Sequence, residues 1–278
     1  MRDNGIPEAR DLDGLDWFAG LAKEALGRLV SLRDQVGAEV NKDHLDLFLQ
    51  VLASDRAVDP DELLATMVAL HLDPTMVACE YATEAARSIG RGWLADEMSF
   101  VDVTVRTERL HGLVRKVDAM VDDTGGAEGP AALVLVAEAE QHTLGAFVLA
   151  LQLRLAGFSA VVRVAPIAAD LTLLLAANRF DIALVSIGCK AGLDSGVGLV
   201  RTLRLMSRSE MCIFVGGAIP VDDATLLDRT GADRVLRDVS ALMAEYDDCT
   251  TRRALDHGRK SSKRFGAAAP VKGDVVDQ

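Results

Sequence analysis

Residues Ala131–Gly145 read AALVLVAEAEQHTLG, and the first six, apolar without interruption and rich in branched side chains, predict a strand buried on both faces. Such a strand requires helices above and below its sheet. Working outward, Ala160–Val164, Ile182–Ile187 and Cys212–Val215 are further short apolar runs, each set off by a stretch of helical periodicity. Arg234–Leu236 is a weaker fifth run. The alternation predicts an α/β fold, a Rossmann-like doubly wound parallel sheet of five strands occupying residues 131–247.

Upstream, the period changes to that of helices. Asp59 with Pro60 and Glu62, and Asp73 with Pro74, have the cap-then-proline order of helix starts, and Ser99 with Asp102 predicts the cap of a last helix. Gly90 to Asp96 is expected to supply the turn before it. Residues 41–122 are read as a four-helix bundle, 1–40 as an N-terminal helical extension, and the glycine-rich stretch 123–130 as a linker. Residues 248–278 read as a basic flexible tail, because beyond Cys249 seven Lys and Arg stand against three Asp.

Composition narrows the function classes. A net charge of −12 repels nucleic-acid phosphates, so DNA contact is expected only through the tail or a partner protein. No long apolar run or signal-peptide core is found, which predicts a cytoplasmic protein without membrane association. The four cysteines, Cys79, Cys189, Cys212 and Cys249, lack CxxC spacing, so neither a disulfide frame nor a zinc cluster is expected.

Ligands of a doubly wound sheet collect at the carboxyl ends of its strands. After the first strand come Glu140, His142, Thr143 and Gly145: an imidazole able to bind a metal through one nitrogen, a carboxylate able to orient the other, and a glycine at the next helix start. After the third come Ser186, Ile187 and Gly188, a hydroxyl beside a residue with no side chain. After the fourth come Gly216, Gly217 and Ala218, which let backbone approach a flat ligand. Singly, a loop histidine such as His142 is more often a plain surface residue, and a glycine pair after a strand is more often just a turn.

Together, Glu140-x-His142-x-x-Gly145, Ser186-x-Gly188 and Gly216-Gly217 resemble, in order and interval, the cobalamin-binding signature Asp-x-His-x-x-Gly, Ser-x-Leu, Gly-Gly. The resemblance implies that His142 displaces the nucleotide base of cobalamin and becomes the lower axial cobalt ligand. Ser186, Gly216 and Gly217 would then contact the displaced tail. It also implies a helical cap over the corrin with an aromatic at the position of Trp93. Two departures stand out: Glu140 replaces aspartate, and Gly188 replaces leucine and opens space. Val103 and Thr104 stand where light-sensing cobalamin repressors have Glu-His.

Around Ile89–Trp93, Ser99–Thr104 and Arg109–His111 the chain most resembles the AerR/PpaA family of antirepressors of photosynthesis genes. That implies a regulator rather than an enzyme, holding adenosyl- or hydroxocobalamin and contacting a redox-responsive transcriptional repressor. The alternatives are a corrinoid methyl-carrier subunit of a methyltransferase and a heme-binding sensor using His142. His44, His71 and His111 read as polar surface of amphipathic helices.

Overall fold

Capping chemistry sets out the helices ahead of the sheet. Asn41 accepts from the backbone of Asp43 and His44 to start α1 (Lys42–Leu52), and Asp59 accepts from Glu62 N–H to start α2 (Pro60–Val68). Asp73 accepts from Thr75 N–H to start α3 (Pro74–Met76), which runs on through a π-helical turn, Val77–Tyr81, into α4 (Ala82–Leu94). Ser99 and Asp102 cap α5 (Phe100–Asp122) reciprocally, each side chain accepting from the other's backbone N–H. The structure, a computed structural model, describes residues 40–122, 129–138, 140, 143–207, 211–217, 221–237, 242, 245, 246 and 249. The expected extension over 1–40 (but for residue 40), most of the linker, and the tail beyond Cys249 lie outside the described residues.

One expected boundary moves. Gly90 and Gly92 lie inside α4, buried, and the chain turns only at Ala95 and Asp96, the latter left-handed at φ 58°. The Met98 side chain lies over Gly92, its Cε 2.9 Å from where a Cβ would stand. The helices share one apolar cluster that includes Phe48, Met67, Tyr81, Ile89 and Leu113. Arg109 Nη1 closes the carboxyl end of α1 by donating to the carbonyls of Leu52 and Ser54 at 2.6 and 2.9 Å.

The sheet has the order β2-β1-β3-β4-β5, all parallel. Its strands are β1 (Ala131–Val136), β2 (Ser159–Val164), β3 (Ile182–Ser186), β4 (Cys212–Gly216) and β5 (Arg234–Leu236). Between them run α6 (Leu144–Leu155), α7 (Ala168–Ala177), α8 (Lys190–Met206) and α9 (Asp223–Thr230). Period-two alternation divides the strands: Leu133, Val185 and Ile213 face α7, α8 and α9, whereas Val134, Leu184 and Phe214 face α6. Helix α6 is apolar on two sides. Its Ala146, Ala150 and Leu153 pack on the sheet, while Leu144, Val148 and Leu151 join the cluster of the upstream helices.

The cysteine expectation is overturned: Cys212 and Cys249 form a disulfide across 37 residues of sequence. Spacing along the chain gave no sign of it, since the two meet only when β4 enters the sheet and Cys249 packs into the cluster on the α6 face. Among the described residues, no helix is long and apolar enough to cross a membrane.

Candidate functional site

The strand order reverses between β1 and β3, because the chain leaves β1 for β2 on one side and returns to β3 on the other. The carboxyl ends of β1 and β3 therefore flank the crevice where doubly wound sheets bind ligands. Val136 and Ser186 are register partners there, as are Ser186 and Gly216. Glu140, Thr143, Gly145, Ser186, Gly188, Gly216 and Gly217 thus gather at one sheet end. His142 and Ala218 lie outside the described residues.

Glu140 is buried at 4% exposure, and its Oε2 accepts from the backbone N–H of Gly188 at 2.6 Å. A Cβ on Gly188 would lie 2.9 Å from the Glu140 carboxyl carbon. The space expected to stand open at Gly188 is therefore occupied: the glycine admits the longer glutamate. The glycine pair also serves the protein itself. A Cβ on Gly217 would run into the carbonyl of Ile187, and one on Gly216 would lie 2.5 Å from that of Leu236, while Ile187 N–H donates to Gly216 O at 2.8 Å. These close approaches are of the chain's own backbone. Ile187 is fully buried under α8, so its side chain serves the core.

Gly145 differs from the others. In the first turn of α6 it is exposed, and among the described residues a Cβ there would meet nothing within 4 Å. Cys189 caps α8 next door, its sulfur accepting from Gly192 N–H at 3.3 Å. Trp93 is 7% exposed within the helical cluster, edge-on to Phe100 with centroids 6.3 Å apart, and Phe100 is itself 51% exposed.

Sequence reading missed His111. It is 7% exposed rather than on the surface, with Nδ1 3.1 Å from Thr107 O and Nε2 3.0 Å from Thr143 Oγ1. A carbonyl only accepts, so Nδ1 carries the proton and Nε2 accepts from the Thr143 hydroxyl. Burial lowers the His111 pKa and favours that neutral ring, against the opposing pull of Glu108. Thr143 precedes α6 in the N-cap position yet makes no side-chain cap bond, because its hydroxyl faces α5 instead. The one legible sign was position: His111 lies in the stripe of Leu110, Val114 and Val117, all buried. Arg154 pairs with Asp118 one helix over, so α5 and α6 are joined at two polar points.

A protein of Rhodobacter capsulatus, the uncharacterized 20.5 kDa protein in the bchF-crtJ intergenic region, is 38% identical over 188 residues, covering 67% of this chain and 98% of that one. The chain belongs to the family of that protein. No protein-family model matches it. The monomethylamine corrinoid protein of Methanosarcina barkeri shares the fold, with a TM-score of 0.56 over 77% of this chain and 98% of that one at 15% identity. A cobalamin-binding protein from Desulfitobacterium hafniense aligns over 81% of this chain and 98% of that one at 15% identity, with a TM-score of 0.39 that adds nothing to the fold argument.

Proposed function

We propose that the chain binds cobalamin with His142 as the lower axial ligand and acts as an AerR/PpaA-type antirepressor. It would respond to light or redox state and work through a partner repressor of photosynthesis genes in the cytoplasm. The observation that carries the regulator reading is the 38% identical relative in the bchF-crtJ intergenic region. The cofactor reading is supported by the corrinoid-protein fold. The residues present also fit the group: among the described residues nothing stands within 4 Å of a Cβ on Gly145 in the first turn of α6, and Ser186 stands half-buried in register with Gly216.

Bound cobalamin supplies a cobalt centre whose upper ligand exchanges or photolyses. The chain does the holding. Glu140, fastened to Gly188, fixes the start of the His142 loop, and Thr143, fastened to His111, fixes its end. Trp93 and the exposed Phe100, edge-on to each other in the helical cap, would be the aromatic residues that hold the group from that side. A signal passes only if the two ligand states bind the cap differently, and moving a balance from 1:99 to 99:1 takes roughly 5.5 kcal/mol.

The test is the visible spectrum of protein reconstituted with adenosyl- or hydroxocobalamin, in darkness and after illumination, for wild type and His142→Ala. A base-off, imidazole-ligated spectrum is expected, lost in the variant; an unchanged spectrum and affinity in His142→Ala would remove His142 as ligand. Reconstitution with heme in parallel separates the iron-binding alternative.

A second reading, a corrinoid carrier of methyl groups, is favoured by the likeness to the monomethylamine corrinoid protein. Methyl transfer to and from the reduced protein would support it over the regulator.

A further inference from the structure

Arg237 is the residue that follows β5, and it emerges beside the glycine pair because Gly216 and Leu236 are register partners. Gly217 is approached from two sides: its Cα faces the carbonyl of Ile187, and its own carbonyl faces the Arg237 guanidinium. That guanidinium is gripped along one edge. Nε donates to Asp223 Oδ1 at 3.1 Å and Nη2 donates to the same oxygen, with Val221 O 3.4 Å from Nη2. Nη1 is different: among the described residues its two N–H groups share one acceptor, Gly217 O, at 3.5 Å, longer than a good hydrogen bond.

As a strut between β5 and α9 the Arg237–Asp223 pair contributes little, since side chains 31% and 55% exposed gain almost nothing from an ion pair in water. What the pair does is hold a planar cation still, with one donor group unfilled, at the sheet end where the ligand crevice opens. The surroundings have the opposite sign. Glu138 and Glu140 follow β1 at the same end, and the chain carries a net charge of −12. An anionic group brought here needs a fixed cation to offset those carboxylates.

We infer that Arg237 is a specificity-determining residue of the cofactor site and that its Nη1 receives the phosphodiester of the cofactor's nucleotide arm. The inference rests on the cobalamin reading above and names the part of that ligand which the neighbour of the glycine pair recognises. A displaced arm has an aromatic base at its tip and one negative charge nearer the ring. The base suits a dry slot, whereas the charge belongs at the wet rim, where Arg237 is exposed. Guanidinium suits phosphate because its planar N–H groups match the oxygens, and one already fastened to Asp223 loses little rotamer freedom on binding.

The test measures the affinity of full-length protein, by equilibrium dialysis, for cobalamin, cobinamide phosphate and cobinamide, all as hydroxo forms. Cobinamide phosphate keeps a phosphate but lacks the nucleoside; cobinamide lacks both. Arg237→Ala should weaken binding of the two phosphate-bearing ligands about tenfold and leave cobinamide within about twofold, so that cobinamide also reports an intact fold. Arg237→Lys should recover part of the loss, and Arg201→Ala, in the far half of α8, should change nothing. Raising salt should shrink the wild type's preference for cobalamin over cobinamide and leave that of Arg237→Ala nearly unmoved. Equal loss for every ligand would overturn the inference by making Arg237 a strut. Loss for cobalamin alone would overturn it by moving the contact to the nucleoside, and no loss at all would remove Arg237 from the site. Wild type that bound none of the ligands would overturn the cofactor reading and this inference together, a result distinct from any contrast between variants.

Discussion

Glu140 and Gly188, 48 residues apart, are two halves of one feature: the glutamate carboxylate accepts from the glycine N–H at 2.6 Å and fills the volume that any side chain at 188 would need. Read separately they are two departures from a cobalamin-binding signature. Joined, they tie the ends of β1 and β3 across the crevice. A buried carboxylate stripped of its backbone donor costs about 1–3 kcal/mol, so Gly188→Ala should lower the melting temperature by about 2–4 °C per kcal/mol. Glu140→Ala should make Gly188→Ala nearly harmless, a coupling of about 0.5–3 kcal/mol in a double-mutant cycle read by urea denaturation.

His111 should give stability an acid-side slope. Burial holds its pKa below 6.5, so as pH falls through 6.5 the unfolded chain takes up a proton that the folded protein refuses. Stability is complete above that pH and declines below it until the folded ring itself protonates. Urea midpoints measured from neutral to mildly acid buffer should fall in wild type, and the slope should flatten in His111→Gln.

Thr143→Val should remove the hydroxyl that donates to His111 and destabilise the protein by about 1–3 kcal/mol, whereas Thr143→Ser should keep the bond. A Ser variant as unstable as the Val variant would show that the methyl group, and not the hydrogen bond, joins α5 to α6.

Arg109 should behave as a fork and not simply as a charge. It donates to the carbonyls of Leu52 and Ser54 through Nη1 and to that of Arg56 at 2.7 Å through Nη2. Arg109→Ala should cost about 1–3 kcal/mol, and Arg109→Lys should recover only part of it because an ammonium cannot span both directions. Thermal denaturation of the two variants checks the order.

Cys79 should resist alkylation in the native protein at mildly alkaline pH. Burial pushes its thiol pKa up to about 12, leaving almost no thiolate. Peptide mapping after brief iodoacetamide treatment should find Cys79 unmodified until denaturant is added.

Much of the architecture was legible from neighbouring residues alone. Apolar runs such as Ala131–Val136 marked strands, and Asp59 with Pro60 and Ser99 with Asp102 marked helix starts, because periodicity and capping are interactions over a few residues. The loops at the carboxyl ends were legible too, since an alternating chain leaves few ways to wind a parallel sheet. What residues did once there was decided by contacts the linear order conceals. Glu140 found Gly188, His111 found Thr143 across 32 positions, and Cys212 found Cys249 across 37. A buried polar group or thiol takes whichever partner the packed layers bring within reach. That choice belongs to the layers: to α6 lying between the sheet and the upstream helices, and to Leu242 and Cys249 packing on the same face of the sheet as α6.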